Sequence, residues 1–312
     1  MLVARYDRNA ALLDGLVPVD GLELDITEEN DDPARERLWL SGGFDAWEAY
    51  AGRYLMDMDA GRREFSAVPV YPKRTFRHGA IHVPRGGAVR GPEDLAGRRV
   101  GLQHWSTTAA VWAKGILTED HHVNLGAIRW LQTSPDSMPW SRPDWLRLEQ
   151  APAGTDLAAL LLRGEIDAAI TSQAWAPYEH PELDFLFPDY PALERAWYAR
   201  TRIFPIMHVL LVRSSILDRA PWVARRLCDA WAAAKMACLD RMERDRLVVT
   251  SMWFQGLLQE ERAAMGSRDT YPYGLAPARH ELSRLIEYAV AQGLIRRPMA
   301  PDELFHPAAR DC

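Results

Sequence analysis

The sequence contains little cysteine and none of the spacings that cysteine-dependent structures require. Its 312 residues include three cysteines, at positions 228, 238 and 312. They form neither a metal-binding motif nor a disulfide framework, and free cysteines usually serve as small packing side chains. The histidines likewise lack the HExxH or HxH spacing of common metal sites. We therefore expect no metal ion in the functional site.

Long apolar runs and basic segments are also missing. The run "AALLL" at 158–162 is flanked by Asp156 and Arg163, and no stretch reaches the roughly 20 apolar residues of a membrane helix. The N-terminal "MLVARYDRNA" lacks the apolar centre of a secretory signal, which predicts a cytoplasmic protein with no membrane partner. The net charge of −6, with no basic block, argues against nucleic acid as a partner.

The motifs of nucleotide-dependent enzymes and serine hydrolases are absent as well. The chain contains no GxGxxG, GxxxxGK[ST] or GxSxG pattern. The glycine-rich stretch "RGGAVRGPEDLAG" at 85–97 lacks the spacing of a dinucleotide-binding loop and is predicted to be a turn. We therefore expect no nucleotide cofactor.

Alternating strand and helix patterns occupy the first two-thirds of the chain, and helical patterns dominate the rest. Strands are predicted at 2–6, 22–26, 66–72, 80–84, 98–102, 127–133, 146–150, 166–171, 183–187 and 207–213, and a short strand runs into a helix over 44–56. Helices are predicted at 8–15, 31–40, 107–117, 155–163, 220–245, 250–264 and 276–292.

This alternation predicts an α/β fold with a mostly parallel sheet covered on both faces. A chain of 312 residues, 48% of them hydrophobic, is long enough for two lobes. Because a strand returns late, at 207–213, we expect the chain to leave the first lobe near residue 83 and to return near residue 205. The predicted lobes are 1–83 with 205–312, and 84–204, and the C-terminal helices pack on the first.

A cluster of cations precedes the predicted strand at 80–84. The stretch "PVYPKRTFRHGAIHV" at 69–83 contains Lys73, Arg74 and Arg77, followed by His78. Guanidinium groups bind planar carboxylates through paired hydrogen bonds, so these cations are candidates to bind a carboxylate. A charge run is also typical of a solvated loop, and the pattern alone leaves both interpretations open.

A hydroxyl-rich turn opens the predicted helix at 107–117. In "LQHWSTTAAVW" at 102–112, a strand ends and His104 is followed by Ser106, Thr107 and Thr108. Hydroxyl groups and free backbone N–H groups at a helix N-terminus favour anions. The same residue types are common helix caps, so ordinary capping is the alternative.

Three further side chains follow predicted strands. Glu48 and Tyr54 come after the strand-like "FDAW", and Arg8 belongs to "YDR" after the first strand. Glu48 is either a catalytic carboxylate or a partner of the helix dipole. Arg8 either lines the cleft or caps the next helix, and Tyr54 is a candidate to contact the ligand.

The stretch "RTRIFPIMHVLLVR" at 200–213 places a histidine directly before a predicted core strand. Ligands of open α/β sheets bind where strands end, and Pro205 restricts the backbone that carries the ring. Imidazole titrates near neutral pH, as acid–base catalysis requires. His208 is therefore a candidate acid–base residue, and a buried structural histidine is the alternative.

Several stretches, read together, resemble the 4,5-dihydroxyphthalate decarboxylase family. They are "YDR", "FDAWE…Y", "PVYPKRTFRHGAIHV", "DLAGRRVGL…TTAAVWAKGIL", "GEIDAAI", "LFPDY…ERAWYARTRIFPIMHVLLVR", "YPYGL" and "PDELF". The most specific are "FRH" and "IFPIMH". The family is similar to type 2 periplasmic binding proteins, which implies two α/β lobes with the ligand between them. "AYAGRY" after Glu48 and "QHWSTT" at 103–108 depart from the family's pattern.

The resemblance implies a lyase that decarboxylates a hydroxylated aromatic acid similar to 4,5-dihydroxyphthalate, without an organic cofactor. Together with the side-chain chemistry, it suggests that His208, His78 and Glu48 are catalytic. Substrate-binding roles are expected for Arg77, Arg74, Lys73, Ser106, Thr107, Thr108, Arg8, Tyr54 and His104. The alternative is a non-catalytic protein that binds a small aromatic or carboxylate ligand, and the sequence leaves a homo-oligomer open.

Overall fold

Two β-sheets form the centre of the molecule. A computed structural model of the chain describes residues 1–136, 138–172, 180–244 and 249–312. The first sheet contains β1 (Leu2–Val3), β2 (Thr27–Glu28), β3 (Ala46–Tyr50), β4 (Phe65–Val68) and β11 (His208–Arg213), in the order β2-β1-β3-β11-β4. β1 is parallel to β2 and β3, whereas β11 is antiparallel to β3 and β4. β11 lies inside the sheet, and Val209–Val212 is buried along its whole length, as its apolar run predicted.

The second sheet is built from the middle of the chain. It contains β5 (Ile81–Pro84), β6 (Arg99–Leu102), β7 (Arg129–Gln132), β8 (Leu148–Gln150), β9 (Ala168–Ile170) and β10 (Leu183–Phe185), in the order β10-β5-β9-β6-β7-β8. β9, β6, β7 and β8 are parallel, and β5 is antiparallel to both of its neighbours.

Both sheets are therefore mixed, whereas we expected a mostly parallel sheet. His208 at the start of β11 pairs with Tyr50 at the end of β3. Because the chain re-enters the first sheet where β3 ends, β11 has to run back along β3. The strand predicted at 22–26 is also wrong. Leu22, Leu24 and Ile26 alternate with exposed residues and pack against a core cluster, but the ladder itself forms only at Thr27–Glu28.

The described residues form ten α-helices. They are α1 (Ala10–Leu13), α2 (Asp32–Leu40), α3 (Ala51–Asp59), α4 (Thr108–His121), α5 (Leu157–Leu162), α6 (Tyr190–Thr201), α7 (Ser214–Arg219), α8 (Trp222–Arg244), α9 (Phe254–Met265) and α10 (Leu275–Ala291). Each predicted helix is confirmed by one of them, although residue 245 lies outside the described residues. α6 and α7 were not predicted, since each buries a single side chain and shows little apolar periodicity. None of the helices in the described ranges is long and apolar enough to span a bilayer.

The chain passes from the first sheet to the second between β4 and β5, and returns between β10 and β11. Val83 pairs with Asp184 of the second sheet, so the expected limit at residue 83 falls inside β5. α10, which we expected to pack on the first lobe, contacts α4 as well as α3. The limits of the two lobes stay a prediction.

The N-termini of α3 and α4 meet beside the segment that leads from the second sheet back into β11. The Gly52 backbone N–H donates to Thr108 Oγ1 over 3.0 Å. A Cβ atom at position 52 would lie 2.6 Å from the Ser106 carbonyl oxygen, so only glycine permits this approach. The neighbouring Ala51 N–H donates to the Met207 carbonyl over 2.9 Å. These contacts fix the β3–α3 turn, the 106–108 turn and the segment before His208 relative to one another.

Gly115 lets α4 and α10 pack closely, and its replacement by alanine is expected to destabilise the fold. A Cβ atom there would lie 2.1 Å from the Tyr288 ring, which must shift. We expect Gly115→Ala to lower the free energy of unfolding by about 1–3 kcal/mol, measured by urea denaturation. Gly256→Ala is the matched control in α9, where nothing lies within 4 Å, and it should instead stabilise by about 0.5–1 kcal/mol. Equal effects of the two substitutions would contradict this account.

Candidate functional site

His208 and Glu48 form a buried pair on one face of the first sheet. Tyr50 and Glu48 of β3 pair with His208 and Leu210 of β11, which makes His208 and Glu48 diagonal neighbours on that face. His208 Nδ1 lies 2.5 Å from Glu48 Oε1, and both side chains are almost fully buried. Glu48 is in the middle of β3 and not at the strand-to-helix turn where the sequence placed it. Strand register therefore brings together two residues that are 160 positions apart.

Every other contact of the Glu48 carboxylate is with a donor or a cation. Tyr6 Oη donates to Oε1 over 2.6 Å, the Ala4 N–H donates to Oε2 over 3.0 Å, and Arg35 Nη2 lies 3.7 Å from Oε1. Burial raises the pKa of Glu48, but Arg35 and the hydrogen bond from His208 outweigh it and hold the pKa at about 2. Glu48 is thus ionised, accepts the hydrogen bond from His208 and orients the ring.

The opposite side of the His208 ring faces a second carboxylate. Nε2 lies 3.9 Å from Asp32 Oδ2, and Asp32 accepts hydrogen bonds from Lys73 Nζ (2.7 Å) and Arg35 Nη2 (2.5 Å). Burial lowers the pKa of His208, while Asp32 and Glu48 work against that shift. The ring is therefore neutral near pH 7, with Nδ1–H donated to Glu48 and the Nε2 lone pair available. We call Tyr6, Asp32, Arg35, Glu48, Lys73 and His208 the Glu48 cluster.

Tyr50 connects the Glu48 cluster to the predicted 104–108 turn. Its ring packs edge-on against both His208 and His104, with centroid distances of 5.1 and 6.3 Å. The hydroxyls of Ser106 and Thr107 lie 3.2 and 3.0 Å from His104 Nδ1. Since Thr108 Oγ1 accepts from Gly52, all three hydroxyls have partners within the protein. Direct contact of these hydroxyls with a substrate carboxylate stays a prediction.

The three cations at 73–77 have different partners. Lys73 pairs with Asp32, and Arg74 Nη1 lies 3.3 Å from both Glu281 Oε1 and the Phe204 carbonyl oxygen. Among the described residues, Arg77 donates to two neutral acceptors, Ser172 O at 2.9 Å and Met207 Sδ at 3.0 Å. Across the described ranges, no carboxylate lies within ion-pair distance of its guanidinium. Burial lowers the pKa of Arg77 to about 10, and Asp32 and Glu194 oppose the shift.

A cavity of about 610 Å³ opens beside Arg77. We call it the Arg77 cavity. Lys73 belongs both to its wall and to the Glu48 cluster. Its lining consists of Lys73, Arg74, Thr75, Phe76, Arg77, Gly79, Ala80, Ser172, Tyr190, Glu194, Phe204, Glu261 and Met265. A volume of this size is typical of sites for small organic ligands.

Two predicted site residues, His78 and Tyr54, have contacts outside the Glu48 cluster. The His78 ring packs edge-on against Phe187 and Trp197, and burial lowers its pKa to about 4. Tyr54 is buried in the core, where its hydroxyl donates to the Leu304 carbonyl and accepts from the Ala67 N–H.

The guanidinium of Arg8 lies between the Tyr6 and Tyr271 rings and donates to the Pro72 carbonyl. Arg8 therefore supports Tyr6, a member of the Glu48 cluster, and does not cap α1, whose N-cap residue is Asn9.

Sequence reasoning missed four side chains of the site: Tyr6, Asp32, Arg35 and Glu194. Asp32 and Arg35 are spaced i, i+3 in "DDPAR", a pattern of ion pairs on helices, and this was the one available signal. Tyr6 opens the quoted stretch "YDR" and Glu194 opens "ERAW", but neither pattern indicates a role for these two side chains. Within the described ranges, no group of three or more His, Cys, Asp or Glu side chains could hold a metal ion.

The protonation state of His208 can be measured directly. Because burial disfavours the imidazolium, we expect the ring to stay neutral with the proton on Nδ1 between about pH 6.5 and 8. Long-range ¹H–¹⁵N correlation spectra of the ring nitrogens report the tautomer, and His208→Gln assigns the signals. A positively charged ring, or a proton on Nε2, would contradict the geometry described above.

No profile of a known protein family matches the chain. The chain is 32% identical to the 4,5-dihydroxyphthalate decarboxylase of Comamonas testosteroni over 98% of its length and 96% of the relative. It is 28% identical to the enzyme of the same name from Pseudomonas putida over 63% of its length and 79% of that relative.

Solved structures with the same fold are more distant in sequence. The aliphatic sulphonate binding protein SsuA of Escherichia coli matches with a TM-score of 0.56 and 14% identity, over 98% of this chain and 90% of SsuA. The desulfurization enzyme DSZB matches with a TM-score of 0.52 and 16% identity, over 98% of this chain and 96% of DSZB. The fold is thus that of periplasmic binding proteins, as expected. The agreement with the Comamonas sequence over nearly the full length of both proteins shows that this chain belongs to the 4,5-dihydroxyphthalate decarboxylase family.

Proposed function

We propose that the protein decarboxylates a hydroxylated aromatic carboxylic acid by protonating the ring carbon that bears the carboxylate. The observation that carries the proposal is the buried His208, which Glu48 holds in one tautomer and whose Nε2 faces Asp32. Arg77, a buried cation without a carboxylate partner among the described residues, donates to the sulfur of Met207, the residue before His208. An acid–base group and a buried cation that lacks a carboxylate partner in the described ranges suit an anionic substrate that must exchange a proton.

Direct cleavage of an aryl–carboxylate bond would leave an aryl carbanion, which is too high in energy. A hydroxyl group ortho or para to the carboxylate provides another route. Removal of the phenolic proton moves electron density into the ring, and the carbon bearing the carboxylate then accepts a proton. Loss of CO₂ returns the bonding electrons to the ring and restores aromaticity. The ring serves as its own electron sink, so this route requires no organic cofactor.

His208 can perform both proton transfers. In its neutral form, Nε2 accepts the phenolic proton, and the imidazolium formed is stabilised by Glu48 and Asp32. The same proton then passes from Nε2 to the ring carbon, which returns His208 to its starting state. After CO₂ leaves, the phenolate of the product takes a proton from solvent. His78, whose ring packs against α6, is not needed for this sequence of steps.

The family supports 4,5-dihydroxyphthalate as the first substrate to test, since both relatives carry that name. The decisive experiment measures CO₂ release from a panel of aromatic acids, with and without ortho or para hydroxyl groups. We expect release only from acids that carry such a hydroxyl. Binding of these acids without any CO₂ release would instead favour a non-catalytic binding protein.

His208→Asn is expected to lower kcat by about 10²–10⁴-fold with little change in substrate affinity, because positioned proton transfer contributes that much. Single-turnover kinetics in H₂O and D₂O measure the effect on the chemical step. His280→Asn, on the exposed face of α10, is the control and should turn over like the parent. If His208→Asn retains the parent rate, His208 is a packing residue.

Arg77→Met is expected to weaken substrate binding by about 2–5 kcal/mol with the fold intact, because it removes a buried cation that has no carboxylate partner among the described residues. Arg74→Met is the informative contrast, since it leaves the Glu281 carboxylate buried without its cation and should reduce stability. Steady-state KM and thermal unfolding of the two variants separate these effects. An unchanged kcat/KM in Arg77→Met would place Arg77 outside the binding site.

A further inference from the structure

The Arg77 cavity has a second functional group that the reaction described above does not use. Glu194 of α6 lines the same cavity as Arg77. Its Oε1 accepts from the Gly79 N–H over 3.3 Å and lies 4.0 Å from His78 Nδ1. Glu194 thus anchors the short turn that follows Arg77, and its carboxyl group faces the space where a ligand of Arg77 would lie.

Glu194 and Arg77 share the cavity without forming an ion pair within 4.0 Å. A substrate carboxylate that binds Arg77 would therefore enter between a guanidinium and a carboxyl group. Two ionised carboxylates in a partly buried space repel each other, whereas a carboxylic acid and a carboxylate form a short, charge-assisted hydrogen bond. The arrangement accepts an anionic ligand only when Glu194 carries a proton.

We propose that Glu194 is a further substrate-positioning residue, which binds the Arg77-held carboxylate of an aromatic acid by donating a hydrogen bond from its own carboxyl group. This inference rests on the proposed function in one respect, the assignment of Arg77 as the carboxylate-binding residue. It adds a recognition requirement, because the ligand must present a carboxylate oxygen to Glu194 as well as to Arg77.

The surroundings of Glu194 are compatible with a carboxyl group that gains a proton near neutral pH. Burial raises the pKa of Glu194 to about 7. Hydrogen bonds from the N–H groups of Gly79 and His78 and the nearby charges of Arg77 and Arg195 act in the opposite direction. The other charged or titratable groups that line the two cavities containing Glu194 are Lys73, Arg74, Tyr190, Arg195, Tyr198, Glu260 and Glu261. The neighbouring His78 ring is uncharged in this pH range.

Phthalate is the probe for the test, since it carries two carboxylates but no hydroxyl group and cannot follow the proposed decarboxylation. Isothermal titration of the intact protein between about pH 6.5 and 8.5 should show affinity falling by roughly tenfold per pH unit above neutrality. Near pH 8, binding should take up close to one proton, measured with buffers of different ionisation enthalpy. Glu194→Gln keeps the acceptor for Gly79 and should bind phthalate with an affinity that does not change with pH.

Glu260→Gln is the matched control, because Glu260 lines only the smaller neighbouring cavity that Glu194 also borders. It should keep the pH dependence of the parent. The inference is overturned if the parent binds phthalate without proton uptake, if it does not bind phthalate at all, or if Glu194→Gln keeps the parental pH dependence. Proton uptake by the parent protein decides the question even if Glu194→Gln fails to fold. CO₂ release from hydroxylated acids is measured separately, so failure here is distinct from failure of the proposed function.

Discussion

The buried charge of Glu48 is the interaction on which the rest of the site depends. An ionised carboxylate inside a sheet is stable only if donors and cations surround it. Ala4 and Tyr6 provide them from the loop that follows β1, Arg35 from α2 and His208 from β11. The partners thus come from three different segments, and the charge ties these segments together. The same contacts fix the His208 ring and leave one nitrogen free for chemistry.

Most of the cations near Glu48 form ion pairs with carboxylates of the protein, whereas Arg77 forms none among the described residues. Arg35 and Lys73 neutralise Asp32, and Arg74 neutralises Glu281. Arg77 is as buried as Arg35 and Arg74, but among the described residues it donates to a carbonyl oxygen and a sulfur atom, which carry no charge. A buried cation without an ion-pair partner is costly for stability, and such a cost is typical of residues kept for binding. Among the described cations near the two connections between the sheets, Arg77 is best suited to bind an anionic ligand.

Much of the local structure follows from the sequence. Periodicity and turn residues located β3, β5, β11 and most helices, because the length and spacing of apolar runs depend on which faces are buried. α6 was missed, since only Trp197 is buried along it, and so was Glu194, which that helix carries. Strand direction was also missed, because a parallel and an antiparallel strand buried on both faces show the same apolar run.

The sequence by itself determined the residue types of the site: a histidine before a core strand, a carboxylate in β3 and a group of cations at 73–77. Only the tertiary structure decided which of them lie together. The register of β11 against β3 joined His208 to Glu48, and the packing of α6 and α10 set the His78 ring against Trp197 and Arg74 against Glu281. The physical reason is that ion pairs and hydrogen bonds form only between groups a few ångströms apart. The positions of two residues in the sequence do not show whether folding brings their side chains that close.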